Sequence, residues 1–495
     1  MARVASQAKV KKNPTYDRAG ARGSGDVPRV LDPGQGYLLS LSALGTEEAP
    51  SVVKERRKVA YEASAAERPE RQRLEEGYAD RLLERLELRR LVTYVPNKGL
   101  PVYNWFKYKE GFSRDLVFRL LEKLAVGKSD IVLDPFAGCG TTLLACKEYG
   151  RTAVGIDILP IAAYVARIKL QDWPNLDVLV GAVDDLLSRP VRSPRSRFPD
   201  LRIIELAFDP QTRDDILFFK EEIDTFQEPV RDFLMLGLLS ILERVSCTSK
   251  DGQFLRLVER PIPVVRDALR EQLMTMIVDL SRQRRVLFKA RPGKAVMLQG
   301  DAREMCLPKR YIGRVAAVIT SPPYLNRYDY SRTYALELCL FCVRDPDDMR
   351  QIRHSLLRSH IEAREHEGKE VRLPCLDEIL SALAKKKLNN DRIPIMIKGY
   401  FEDMNIVIRS LAAYLRPGGR VALVVANAQF AGEHVPTDLM LSELAAHHGF
   451  TTDEIWVTRY KGNSSQQMAQ YGRRPVRESI VFWRKHGGEE REAAD

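Results

Sequence analysis

Residues 130–157 read DIVLDPFAGCGTTLLACKEYGRTAVGID, and this stretch decides the fold. Asp130–Leu133 reads as a short buried strand, and Asp134-Pro135-Phe136-Ala137-Gly138-Cys139-Gly140 reads as a tight glycine-rich turn. Thr141–Tyr149 follows as a helix, and Thr152–Ile156 as a second strand closed by Asp157. In such a βαβ unit, Gly138 and Gly140 let the backbone approach a ligand, and the helix offers free amides at its start. Position 143 is Leu, so the spacing is not G-x-G-x-x-G, and there is no G-x-x-x-x-G-K-[ST] loop. A phosphate-binding loop is disfavoured.

Working outward, Tyr103, Trp105, Phe106 and Tyr108 cluster ahead of Ser113, which is placed to cap a helix running to about Leu124. Residues 1–35 read as a basic tail and 50–92 as one or two charged helices, so 1–92 forms a tail and a helical arm. Residues 172–294 interrupt the alternation as a helical insertion, a candidate target-recognition region, with a basic end at Arg282, Arg284, Arg285, Lys289, Arg291 and Lys294. Strand character resumes at Ala295–Leu298 and Val315–Thr320. A second helical insertion, 344–398, carries the run Lys385-Lys386-Lys387. A helix (401–415), a Pro417-Gly418-Gly419 turn, the strand Val421–Val425, a helix (437–448) and strands near 453–459 and 479–484 close the pattern. Residues 487–495 are a tail. The expected fold class is α/β, a doubly wound parallel sheet over 93–171, 295–343 and 399–486 with helical insertions. Ligands of such sheets lie at the strands' carboxyl ends.

Acidic residues close three of those strands. Asp134 ends the first, Asp157 is placed to accept from ribose hydroxyls, and Asp301 is placed to accept from an adenine amino group. The string DPFAGCGTT, with Gly155-Ile156-Asp157 after it, resembles the first two motifs of the N4-cytosine/N6-adenine amino-methyltransferases of DNA. That resemblance implies a Rossmann-like sheet binding S-adenosylmethionine through Asp134, Phe136, Gly138, Gly140, Thr141, Asp157 and Asp301. The upstream segment NWFKYKEGFSRDLV resembles the family's motif over the methionine end, which implies Lys107, Glu110, Phe112 and Ser113 there.

The second decisive string is Val318-Ile319-Thr320-Ser321-Pro322-Pro323-Tyr324. Two prolines stiffen the chain and donate no hydrogen bonds, which leaves carbonyls facing outward as acceptors. An exocyclic base amine is a poor nucleophile because its lone pair is delocalised into the ring. Ser321 Oγ and the Pro322 carbonyl are suited to hold both amine protons, with Pro323 fixing the corner and Tyr324 stacking on a flipped base. Ser-Pro-Pro-Tyr resembles the form found in N4-cytosine enzymes, whereas N6-adenine enzymes more often place Asp or Asn before the prolines. Asp329 and Tyr330 are candidates to shape the base pocket. The stretch 460–478 resembles the family's closing hairpin, and Arg459, Lys461, Arg473, Arg474 and Arg477 form a candidate phosphate-contacting edge.

Composition is compatible with that reading. Lys+Arg 78 against Asp+Glu 67 gives +11, which suits a polyanionic partner. No run of about 18 apolar residues suggests a membrane span. Seven scattered cysteines suit reduced thiols in the cytoplasm, and the Cys339/Cys342 pair lacks partner ligands for a metal. C5-cytosine chemistry needs a nucleophilic cysteine, and Pro374-Cys375 is followed by Leu376 inside a helical insertion, so that route is set aside. The expected function is site-specific N4-cytosine methylation of double-stranded DNA with S-adenosylmethionine, in a restriction-modification setting with a cognate restriction endonuclease. N6-adenine methylation and RNA base methylation on the same fold are the alternatives, and a silent DNA-binding module is a third.

Overall fold

The strand at Val315–Thr320 has all six residues buried, as expected of a parallel strand covered on both faces. It lies inside an eight-stranded sheet of a computed structural model that describes residues 69–173, 175–251, 254–287, 292–363, 371–462 and 475–487. The strands are β1 (Leu82–Glu84), β2 (Ile131–Asp134), β3 (Thr152–Asp157) and β4 (Ala295–Gln299). They continue as β5 (Val315–Thr320), β6 (Leu415–Ala426), β7 (Phe450–Lys461) and β8 (Val476–Lys485). Their spatial order is β1-β7-β8-β6-β5-β2-β3-β4. β8 runs antiparallel to both β6 and β7, and the other pairings within this sheet are parallel.

The chain moves from β2 outward to β3 and β4, then returns to place β5 on the other side of β2. That reversal opens a crevice above the carboxyl ends of β2 and β5, where Asp134 and Thr320 sit. Helices cover both faces. Leu143, Ile161 and Leu116 belong to one apolar cluster, while Ile397, Ile408 and Leu441 belong to the other. The Ser113 cap is observed, its side chain accepting from Leu116 N at the start of the helix Arg114–Lys123.

Four elements differ from the sequence reading. Residues 69–92 are not a solvated helical arm: after the helix Pro69–Gly77, β1 pairs with Ile455–Val457 at the sheet edge. Arg71, 4% exposed, anchors that helix by donating to Glu378 (2.7 Å) and Glu433 (2.8 Å). The insertion 172–294 carries five helices among its described residues, but also an antiparallel hairpin, Thr248–Asp251 with Phe254–Leu257. Its Lys250 ammonium is buried against Glu337, so the hairpin is held by a non-local ion pair that local periodicity does not announce. The expected turn at Pro417-Gly418-Gly419 lies within β6, where a register shift between Val315 and Ala317 of β5 absorbs it. The helix before it begins at Ile393 rather than 401. The tail 1–35 and residues 488–495 lie outside the described residues.

A buried ion pair ties β8 to the helix Thr437–His447. Arg477 donates to Asp438 (2.6 and 3.0 Å) and to Glu75 (3.0 Å), and Ser479 Oγ donates to Asp438 at 2.8 Å. Asp438 is fully buried, so removing its partner strands a carboxylate in the core. Arg477→Ala is therefore expected to cost roughly 3–5 kcal/mol of stability, read as a lowered midpoint of urea unfolding. A midpoint equal to that of the wild-type protein would show that water reaches Asp438.

Candidate active site

Asp134 closes β2, is 2% exposed, and joins the two motifs. It accepts from Thr142 Oγ1 at 2.5 Å on the helix after the glycine turn, and from Thr320 Oγ1 at 2.6 Å, the residue before Ser321. Phe136 N donates to the same carboxylate at 3.1 Å. Burial pushes the Asp134 carboxyl up to about 6, against the lowering effect of those three donors. The cofactor turn and the Ser-Pro-Pro-Tyr corner are therefore pinned to one carboxylate.

The turn itself is a cradle. Gly138 has φ +53° and Gly140 has φ +85°, both in the left-handed region. A Cβ at Gly138 would lie 2.9 Å from the Tyr108 ring, and one at Gly140 would lie 2.9 Å from Ala166 Cβ. Asp157 seals the loop by accepting from Gly138 N (2.8 Å) and Leu159 N (2.9 Å). Burial raises its carboxyl to about 6 as well. Tyr108 stacks on Tyr334 with centroids 5.0 Å apart, which carries the upstream segment onto the glycine turn. Glu110 accepts from the Tyr334 hydroxyl at 2.9 Å, and burial raises its carboxyl above the ordinary range.

A cavity of about 320 Å³ opens above these residues. Its lining includes Phe112, Asp134, Phe136, Gly138, Thr141, Asp157 and Asp301 together with Ser321, Pro323 and Tyr330. The two sequence motifs thus face one space, of a size that suits a small cofactor. The residues present fit S-adenosylmethionine. The wall at Gly138 admits no side chain, Asp157 presents a carboxylate, and Phe112 and Phe136 give apolar surface.

Not every expected residue lies in that lining. Ser113 is fully buried and spends its hydroxyl as the helix cap, and Gly140 shapes the turn without lining the cavity. Asp301 caps a short 3-10 turn and holds Arg303 (3.0 and 2.6 Å), so part of its acceptor capacity is already used. Pro322 and Tyr324 are also absent from the lining. Tyr324 points its hydroxyl to Glu478 at 2.9 Å, with Ser321 as a second polar neighbour, and Lys461 Nζ sits 4.8 Å from its ring centroid. Burial first and Glu478 second push the phenol well above its ordinary range, so it remains a donor.

The proposed phosphate edge needs correction. Lys461 pairs with Glu478 at 2.6 Å, Arg459 pairs with the same carboxylate, and Arg477 is buried on Asp438. These cations serve the interior, because each faces a buried carboxylate that would otherwise be unpaired. Arg473 and Arg474 lie outside the described residues. Sequence reasoning also missed Thr142 and Thr320, whose partner is non-local, and Leu356, Leu357 and Ser359, by which the second insertion walls the cavity. Asp329 is buried as the cap of the helix Tyr330–Thr333, accepting from Ser331 N at 2.9 Å.

A family model described as DNA methylase, of the N6/N4 type, matches residues 52–167. The Type II methyltransferase M.BsoBI of Geobacillus stearothermophilus is 34% identical over 478 residues, spanning 84% of this chain and 92% of that protein. M.AvaI of Nostoc sp., also a Type II methyltransferase, is 35% identical over 448 residues, spanning 83% and 92%. Among solved structures, TrmN from Thermus thermophilus overlaps 79% of this chain and 53% of its own at 12% identity, with a TM-score of 0.25.

The doubly wound sheet, the glycine cradle and the proline-stiffened corner over one cavity define a Rossmann-like S-adenosylmethionine-dependent methyltransferase. Within that class the chain belongs to the N6/N4 family of DNA methylases.

A carboxyl raised to about 6 loses its charge as pH falls through that value, and with it the ability to accept two hydrogen bonds from a diol. Cofactor affinity, measured by calorimetry, is expected to be flat above about pH 7 and to weaken towards tenfold per unit below about pH 6. A Kd that stays constant down to about pH 5 would remove Asp157 from cofactor binding.

Proposed function

We propose that this methylase modifies the exocyclic N4 amine of cytosine at a specific sequence in duplex DNA. It would act as the modification half of a restriction-modification pair whose cognate endonuclease cleaves the same site. The observation that carries the reading is that Ser321 and Pro323 share one cavity with Gly138 and Asp157, with serine in the first place of the Ser-Pro-Pro-Tyr corner.

The cofactor, when bound, supplies an electrophilic methyl group on a sulfonium. The chain's own residues do the rest. Asp157 and the glycine turn orient the cofactor, with Phe112 and Phe136 excluding water beside it. Ser321 Oγ and the Pro322 carbonyl accept the two amine protons, which draws the nitrogen out of conjugation and aims its lone pair into the cavity. The Tyr324 phenol donates its proton to Glu478, which holds it beside Ser321. No side chain forms a bond to the base. The methylated ammonium then loses one proton to solvent, since the Ser321 hydroxyl and the Pro322 carbonyl accept hydrogen bonds but are too weakly basic to keep it.

Digestion of DNA methylated with labelled cofactor, followed by nucleoside chromatography, tests the reading. N4-methylcytosine is the expected product. N6-methyladenine would overturn the cytosine assignment within the same family, and label found only in an RNA substrate would overturn DNA as the target. Ser321→Ala is expected to lower kcat by about a hundredfold or more while cofactor Kd stays unchanged. Equal rates would displace Ser321 from the chemistry.

A further inference from the structure

Arg327, three residues beyond Tyr324, is unusual in two independent ways. Its φ is +67°, in the left-handed region that a long L side chain rarely adopts, and its own N–H is locked there by donation to Ser359 O at 3.0 Å. Its guanidinium is half-buried, and among the described residues no carboxylate pairs with it. Among those residues its one side-chain partner is Asn389, accepting from Nη1 at a long 3.4 Å. Burial shifts its pKa downward, and among the described residues no anion offsets that shift.

The neighbouring arginines show how different this is. Arg353 pairs with Asp329 (2.9 Å) and Glu362 (3.1 Å), and Arg332 pairs with the same two acids. Arg358 pairs with Glu402 (2.8 Å) and Asp403 (2.7 Å). Each of these charges has been neutralised within the fold, whereas Arg327 is held at a desolvating site with no carboxylate among the described residues to answer its charge. A partly desolvated guanidinium without an anion is unfavourable until one arrives. Strain at a non-glycine residue beside a catalytic loop points the same way, since such backbone is retained where a side chain must be aimed.

The surroundings indicate which anion. Asn389 follows the run Lys385-Lys386-Lys387, of which Lys385 and Lys387 are exposed, while Lys386 is paired with Glu433. The catalytic loop therefore adjoins a turn of the second insertion that presents positive charge. A guanidinium's planar fork suits a phosphodiester, and a row of such groups along a strand is what flanking lysines would meet.

We infer that Arg327 binds a backbone phosphate of the DNA next to the target nucleotide, with Lys385 and Lys387 extending the contact along the strand. The inference rests on DNA being the substrate. It assigns the DNA-facing rim beside the catalytic loop to the insertion 344–398, and it leaves sequence reading to other residues. Holding the phosphate next to an extruded base fixes the nucleotide's position without regard to its identity.

The test uses the full chain and a fluorescein-labelled duplex of mixed sequence, with anisotropy read across a potassium chloride series. Arg327→Gly removes the cation and relieves the positive φ, so its thermal midpoint is expected to equal or exceed that of the wild-type protein. Its DNA affinity is expected to fall about tenfold near physiological salt, with the slope of log K against log salt reduced by about one. Arg327→Lys, which keeps the charge at the same backbone, should restore most of that slope. A glycine variant with wild-type affinity and slope, while the parent methylates duplex DNA, would overturn the inference and leave the function standing. A loss confined to one target sequence, with the slope unchanged, would also overturn it, because it would mark a base contact. A parent protein that neither binds nor methylates DNA would remove the functional reading, and this inference with it.

Discussion

One buried carboxylate holds the active site together. Asp134 ends β2 at the point where the sheet reverses direction, and its two oxygens take the hydroxyls of Thr142 and Thr320. Thr142 lies in the first turn of the helix behind the glycine turn, and Thr320 ends β5 immediately before Ser321. Two loops distant in sequence are thus fixed to one carboxylate, Thr142 on one oxygen and Thr320 on the other. Burial makes ionisation of Asp134 costly, and three donors reduce that cost. Movement of either loop would leave the carboxylate short of partners in an apolar surrounding, so the relative position of the glycine turn and the Ser-Pro-Pro-Tyr corner is tightly specified.

Outside that centre the site is finished by groups from distant parts of the chain. Tyr108 reaches back over Gly138 and stacks on Tyr334, which is 226 positions downstream. Leu356, Leu357 and Ser359 bring the second insertion to the cavity. Arg358 holds that segment by donating its backbone N to Asp403 at 2.9 Å, while Arg303 joins the same Asp403 (3.2 Å) to Asp301. The cavity wall and the carboxylate that closes β4 therefore share one ionic network. Packing of this kind makes a pocket that is largely formed before anything binds.

Much of this was legible in the sequence, for a definite reason. Strands buried on both faces must be apolar runs, and Ile131–Asp134, Thr152–Asp157 and Val315–Thr320 could be read as such. The glycine turn and the Ser-Pro-Pro-Tyr corner announce themselves because backbone conformation there depends on residue type. What could not be read is held by distant partners. β1 is three residues in a charged stretch and exists through pairing with Ile455–Val457. The hairpin of the first insertion depends on Lys250 meeting Glu337. The placement of Arg459, Lys461 and Arg477 reads from sequence as a basic edge because their carboxylate partners lie on other elements or across the strand pair.

The pairing of these cations with buried carboxylates shows how the chain uses its charge. A formal +11 suggests a broad cationic face, but several cations near the catalytic end are committed to the interior. Glu478, 1% exposed, takes Arg459, Lys461 and the Tyr324 hydroxyl, so the ring of this tyrosine is held by its oxygen while Lys461 lies over its π-face. A cation on an aromatic face is favourable, and more so when partly desolvated, which stiffens the ring further. Those charges buy orientation of Tyr324. Affinity for a polyanion must then come from cations with no internal partner, and their positions, rather than the net charge, determine which face of the sheet meets the DNA.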